Sequence, residues 1–319
     1  MSPCPCPLRH LAGLGLAVLL AGCGDDGARA VDAPGVAPID AGPTPDGDGA
    51  ARTGLGGVEV IEAWTVTDLG AGPTPQRWAD LRARFYQDHE PRWHHEVMQA
   101  GACRMVSYAA ASCDPACLDG RCVATNVCEP YPVEISAGRL TVSGLATTVE
   151  IDPVDTLYVL GQQLPAELFA DGATITASVA GAALPALSLT TTGVPALQPG
   201  LTGDVVAAGR GQDLTLTWTP STDPSARVRL TYNANNRGHG APYDAIITCE
   251  VADADGTLTV PAAMMDTFPA TTAWRICAGR DCPPSTLRRF HHVATPALAG
   301  EVGLTVASEY YFFVDHPGP

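Results

Sequence analysis

Four short runs set the fold class: Asp213-Leu-Thr-Leu-Thr-Trp218, Arg227-Val-Arg-Leu-Thr-Tyr232, Ile246-Ile-Thr-Cys-Glu-Val251 and Thr257-Leu-Thr-Val260. In the first two, every second side chain is apolar, and those between are threonine, arginine or aspartate. Successive side chains of a strand point to opposite faces, so this alternation fits a strand with one buried and one wet face. Asp255-Gly256 is a turn signal between the last two runs. Pro261–Phe268 reads as a single helical turn, and Ala273–Cys277, Leu287–Val293 and Val302–Val314 complete the series. About seven strands in about 110 residues match an immunoglobulin-like or fibronectin-III-like sandwich. The Cys…Trp…Cys spacing of true immunoglobulin domains is absent, so only the architecture is expected.

Toward the N-terminus the pattern stays β. Val58–Trp64, Ala102–Tyr108, Arg139–Leu145, Thr147–Ile151, Leu157–Leu160, Ala173–Val179 and Leu184–Thr190 read as strands separated by Gly, Pro or Asp turns. Leu81–Phe85 alternates apolar and basic residues, with a short helix over 75–88 as the competing reading. The fold class is therefore all-β, built from antiparallel β-sandwiches. The expected units are a β-rich domain over 58–200, carrying a cysteine knuckle at 103–128, and an immunoglobulin-like sandwich over 201–319.

Residues 23–57 are rich in Gly, Ala, Pro and Asp and carry no aromatic side chain. Such a segment cannot bury enough apolar surface to offset its chain entropy and reads as a disordered linker. Asp46-Gly47-Asp48-Gly49 could pass for a calcium-loop fragment, but solvated acids in a linker are the expectation. Before it, Leu11–Leu20 is an uncharged apolar run, long enough for a secretory signal and too short to span a bilayer. It ends in Leu20-Ala21-Gly22-Cys23, which resembles the lipobox of bacterial lipoproteins. The resemblance implies cleavage after Gly22, lipidation of Cys23, and a cell-envelope address. Gly24 in place of aspartate points to the outer membrane.

The formal charge is −16; loss of residues 1–22 removes Arg9 and no acid, giving −16 − 1 = −17. A chain this acidic is not built for phosphate backbones, so no nucleic-acid partner is expected. All 18 basic residues are arginine. Without lysine there can be no Schiff base, no P-loop lysine and no Ser-x-x-Lys acylation site.

Of eleven cysteines, Cys4 and Cys6 precede the cleavage point and Cys23 takes the lipid. The remaining eight are Cys103, Cys113, Cys117, Cys122, Cys128, Cys249, Cys277 and Cys282. An even number in an exported chain reads as a disulfide framework. They fall into groups of five and three, so complete pairing forces at least one bridge between the groups. Cys103 with Cys249 suits that role, both lying in strand-like runs. Within the knuckle, where Asp119-Gly120 marks a turn, 113–122 with 117–128 is one of several pairings. Zinc is the rival use of these thiols, but the spacing lacks the paired Cys-x2-Cys of zinc ribbons.

The run Gly101-Ala102-Cys103-Arg104, the knuckle, Cys128-Glu129-Pro130-Tyr131-Pro132 and Ser136-Ala137-Gly138 through Gly144-Leu145 are similar to predicted secreted lipoproteins of myxobacteria. Leu168–Ala173 and the late Thr257–Met265 continue the similarity. That group has no established activity, so the resemblance implies fold and address only.

Few residues suggest a site. His89, His94 and His95 cluster near Glu90 and Glu96, but neighbours on a strand point to opposite faces, and no His-Glu-x-x-His spacing exists. No metal and no cofactor are expected; His291 and His292 fall under the same reasoning. Asn233, Asn235, Asn236, Arg237 and His239 sit in a polar, Gly-rich loop between two strands, suited to sugar hydroxyls or carboxylates. No Gly-x-Ser-x-Gly elbow is present. Trp64, Trp78, Trp93, Trp218 and Trp274 have the chemistry of a sugar-stacking platform, but with aromatics at 6% of the chain the core needs most of them.

The function expected is a lipid-anchored envelope surface protein with a non-catalytic display, binding or structural role. It is held to the membrane through its lipid alone, with an extracellular protein or glycan as ligand. The alternative is a secreted hydrolase or carbohydrate-active module. Convergence separates the two: an enzyme gathers histidines and carboxylates in a cleft.

Overall fold

The structure is a computed structural model that describes residues 53–67, 72, 74–90, 94–108, 112–234, 245–271 and 285–317. Cys23, most of the linker, Trp93, Trp274, Cys277, Cys282, the run Ala273–Cys277, and Asn235, Asn236, Arg237 and His239 lie outside the described residues.

The chain begins with β1 (Thr53–Thr67), β2 (Thr74–Phe85), β3 (His95–Ala100) and β4 (Cys103–Ser107), then the knuckle hairpin β5 (Gly120–Ala124) and β6 (Val127–Pro130). Next come β7 (Leu140–Ser143), β8 (Val149–Ile151), β9 (Thr174–Val179) and β10 (Leu187–Thr192). The last part holds β11 (Val205–Ala207), β12 (Leu214–Thr217), β13 (Arg227–Ala234), β14 (Ala245–Ala252) and β15 (Thr257–Val260). After α1 (Ala262–Met265), the long β16 (Ser285–Ala297) and β17 (Gly300–Asp315) close the fold. The all-β expectation holds: α1 is the only α-helix among the described residues, and it is far too short to cross a membrane.

One large sheet runs in the order β2-β1-β17-β16-β13-β14-β4-β3, with β11 joined to the end of β17. Pairing is antiparallel except for β1–β17 and β11–β17, which are parallel. Two smaller sheets, β10-β9-β7-β8 and β12-β15, pack on one face of it. Strand β17 shows how. Its even-numbered side chains all point to that face: Val302, Leu304 and Val306 enter a core with β7, β8 and β9, whereas Tyr310, Phe312 and Val314 enter a second core with β12, β15 and α1. Between them Ser308, 1% exposed, accepts the backbone N–H of Leu197 at 2.9 Å. A single polar residue thus marks the seam where the covering layer changes.

Several expectations need correction. The boundary at 200/201 does not separate two sheets, because β1–β4 belong to the same sheet as β13, β14, β16 and β17. The long-range pairing of β1 with β17 decides this, and no local pattern announces it. Leu157–Leu160 is not a strand. Asp155 takes a positive φ of 56°, and the chain closes only an isolated bridge between Val154 and Leu157. The alternative helix at 75–88 is instead strand β2, which places Leu81 and Phe85 in the core. Gly256 does turn the chain, at φ 64°, yet β15 pairs with β12 and not with β14. The hairpin turn of the knuckle lies at Thr125-Asn126, with Gly120 already in β5. Where β1 bulges, Gly56 has φ 86°, and a Cβ there would sit 2.1 Å from the Arg84 carbonyl oxygen. Only glycine fits.

The three described bridges are Cys103–Cys249, Cys113–Cys122 and Cys117–Cys128. The first links directly opposed residues of β4 and β14, so a bridge does join the two cysteine groups. The sulfurs of Cys113, Cys117 and Cys128 lie within 4.8 Å of one another, but each is already committed to a disulfide.

Candidate functional site

The covering layers occupy one face of the large sheet. On the other face, Ile61, Ala307, Phe290 and Glu309 are also buried, each 3% exposed or less. The same two-residue period that sends apolar side chains to the cores sends a different set to this second face, much of it arginine, glutamate, threonine and aromatic residues. Register decides who meets whom. Glu59 of β1 lies opposite Arg82 of β2 and Thr305 of β17; Glu309 of β17 lies opposite Arg288 of β16; Arg229 of β13 lies opposite Glu250 of β14.

The result is a row of ion pairs across the strands. Arg288 Nη1 donates to Glu59 Oε1 at 2.7 Å, and its Nε donates to Glu309. Arg229 donates to Glu250 Oε2 from Nη2 at 2.7 Å, while Arg227 Nε reaches Oε1 of the same carboxylate at 2.5 Å. Arg229 also lies 4.6 Å from the centroid of the Phe290 ring, a cation–π contact that covers an apolar residue with a charged one. Burial pushes the Glu59 carboxyl up, but Arg288 and Arg82 outweigh it and hold it below the usual carboxylate range. Glu250 follows the same logic: burial raises it, and Arg229 and Arg227 lower it further. For Arg288, burial opposes the charge, yet Glu309 and Glu59 keep the guanidinium firmly protonated.

Toward the β2 edge this face becomes exposed. Trp78 is 37% exposed, and its ring meets Tyr311 with centroids 5.1 Å apart and planes tilted by 55°. Arg82 Nε pairs with Asp80 Oδ2 at 2.7 Å, with side chains 46% and 37% exposed. On β16, His292 Nδ1 lies 2.9 Å from Thr305 Oγ1.

The described histidines do not converge into one site. His89 Nε2 lies 3.9 Å from Glu129 Oε1, beside the knuckle. His94 packs edge-on to Tyr108, while His95 is exposed at the start of β3. His291 is the exception, since both Asp223 Oδ2 and Ser225 Oγ approach its Nε2, at 3.0 and 3.2 Å. A nucleophilic triad needs carboxylate and hydroxyl on opposite ring nitrogens. Here Nδ1 faces the Thr192 carbonyl at 2.9 Å, and Ser225 Oγ donates to Asp223 Oδ1 at 2.6 Å. This is a clasp between β16 and β10. A shallow depression of about 420 Å3, lined by Thr148, Glu150, Leu160, Gly161 and Gln162, brings one titratable side chain among the described residues, Glu150.

Of the expected ligand loop, the structure describes Asn233 alone; its N–H donates to Ser285 Oγ at 2.9 Å at the end of β13. Sequence reasoning missed the sheet face. The signal was present in the arginines and glutamates of β2, β13 and β16, but their alignment depends on strands far apart in the chain. No family model, no curated protein and no solved structure matches this chain. What the face does must be argued from its own chemistry.

Proposed function

We propose that this chain is a lipid-anchored protein of the cell envelope, held at the outer membrane through Cys23, whose β-domain acts as a non-catalytic binding and display module. The lipobox-like Leu20–Cys23, the linker, the disulfides and the resemblance to myxobacterial lipoproteins all support the address. The observation that carries the binding role is the second face of the large sheet. It is furnished with paired guanidinium and carboxylate groups and, at its β2 edge, with the exposed ring of Trp78 set against the half-buried Tyr311. Such groups recognise hydroxyls, amides and carboxylates through directional hydrogen bonds, and the pairing fixes them in place before a ligand arrives. The dispersed histidines favour binding over hydrolysis.

Cys23→Ser tests the anchor. The variant is expected in the soluble envelope fraction, and its continued recovery with membranes refutes lipidation at Cys23. Proximity labelling from the anchored protein in native cells should then tag envelope or extracellular components; labelling confined to cytosolic proteins refutes the display role.

A further inference from the structure

We propose that the β2 edge of the second sheet face binds a neutral glycan, with Trp78 as the stacking platform and Asp80, Arg82 and Glu59 as the polar contacts. The proposal rests on the binding role of this face and assigns it a ligand class.

Four observations carry it. First, Trp78, Asp80 and Arg82 alternate along one face of β2, so they line up about 7 Å apart along the edge strand, a ring followed by two polar groups. Second, Trp78 sits at the outer edge of the sheet, partly exposed and braced by Tyr311, so its indole is held ready and loses little freedom on binding. A pyranose offers such a ring its C–H face.

Third, the polar groups there have capacity to spare. Arg82 uses Nε on Asp80, and its terminal Nη groups make no hydrogen bond to a described residue. Glu59, 9% exposed, has Oε1 on Arg288, while its Oε2 is buried with no hydrogen-bond partner. A buried acceptor without a donor is costly. A ligand hydroxyl that displaces the exposed Arg82 arm would supply that donor and take Nη donors in return.

Fourth, the local charge excludes the acidic class. Arg82, Arg84 and Arg288 face Asp80, Glu59, Glu309 and Glu134, three positive groups against four negative, within a chain of net charge −16. An anionic polymer is repelled, whereas an uncharged polyol uses both donors and acceptors.

The test is affinity electrophoresis and titration calorimetry of the full chain in detergent. The probes are soluble α-glucan, β-glucan and mannan, with polygalacturonate as the acidic comparison. At least one neutral polymer is expected to retard the protein, and Trp78→Ala to weaken that binding about tenfold. Arg82→Gln should weaken it too, while Trp78→Phe retains part of it. Both positions are on the exposed edge, and an unchanged far-UV spectrum confirms that the variants fold. Binding of polygalacturonate alone overturns the neutral class. No retardation by any neutral polymer, or retardation untouched by Trp78→Ala, overturns the site. Those failures leave the Cys23→Ser and labelling results standing, so the display reading is judged separately.

Discussion

Replacing Arg289 by methionine asks how much of this fold hangs on one buried ion pair. Arg289 is 2% exposed and Asp253 0%. The guanidinium reaches Asp253 Oδ1 from Nε at 2.9 Å and from Nη2 at 2.8 Å. It also donates to the carbonyls of Pro195, Ala196 and Thr219 at 3.2, 3.0 and 2.6 Å. One side chain thereby holds β16, the segment after β10, the segment after β12 and the turn at Asp253–Asp255. Methionine keeps the apolar stem but leaves the buried carboxylate with one donor, the Ser221 N–H at 2.7 Å, and leaves three carbonyls unmet. Removing one partner of a buried pair costs about 3–5 kcal/mol, because the remaining charge stays buried and uncompensated. In a domain of this size each kcal/mol moves the thermal midpoint by about 2–4 °C, so Tm should fall by about 6–20 °C. Asp253→Asn should be milder, since Arg289 keeps its three carbonyl acceptors. Urea unfolding, followed by circular dichroism and tryptophan fluorescence, measures both. The deficit should persist in about 1 M NaCl, because salt does not screen a pair sealed from solvent. Arg139→Met, which removes the exposed bridge to Asp152, should leave the transition where it was. A loss below about 1 kcal/mol for Arg289→Met would falsify the claim that this pair holds the segments together.

Other outcomes follow from the same coordinates. Cys103–Cys249 closes a separation of 146 residues, against 11 for Cys117–Cys128. In the chain-entropy account, removing the first bridge costs about 5 kcal/mol and the second about 3 kcal/mol, so equal midpoints for the two double-serine variants would contradict it. Glu59 and Glu250 are held below the usual carboxylate range, so each adds stability above its unfolded value and loses it as pH falls through the folded value. The urea midpoint should therefore be level from about pH 7 to 5 and drop below about pH 4, with Glu59→Gln blunting the drop. A midpoint unmoved down to about pH 3 counts against the ion-pair row.

How much of this was legible in the chain depends on the range of the interaction. The alternation in Leu214–Thr217 and Arg227–Tyr232 is local, and the strands appear where it places them. Parity of the cysteines demanded a link between distant groups, and Cys103–Cys249 supplies it. Strand β3 escaped notice because His95–Ala100 buries none of its side chains fully, leaving no period to read. Leu157–Leu160 misled in the opposite sense: its side chains are apolar, but Leu157 and Val159 are 44% and 65% exposed. The sheet face was illegible for a different reason. Arg82, Glu59, Arg288 and Glu309 look like ordinary wet-side residues one strand at a time. Only the register of β1 with β17, set across nearly the whole chain, turns them into a connected row.

The parallel lie of β1 beside β17 also bears on mechanics. β1 is the first described strand; it begins at Thr53, inside the run read as linker, with Leu55 already buried, and it is clasped on both sides, by ten register partners on β17 and twelve on β2. A force drawn along the linker pulls this strand lengthwise, so its backbone bonds are loaded in shear and must yield together. Hung instead from an edge strand by a sideways pull, the same sheet would unzip one bond at a time.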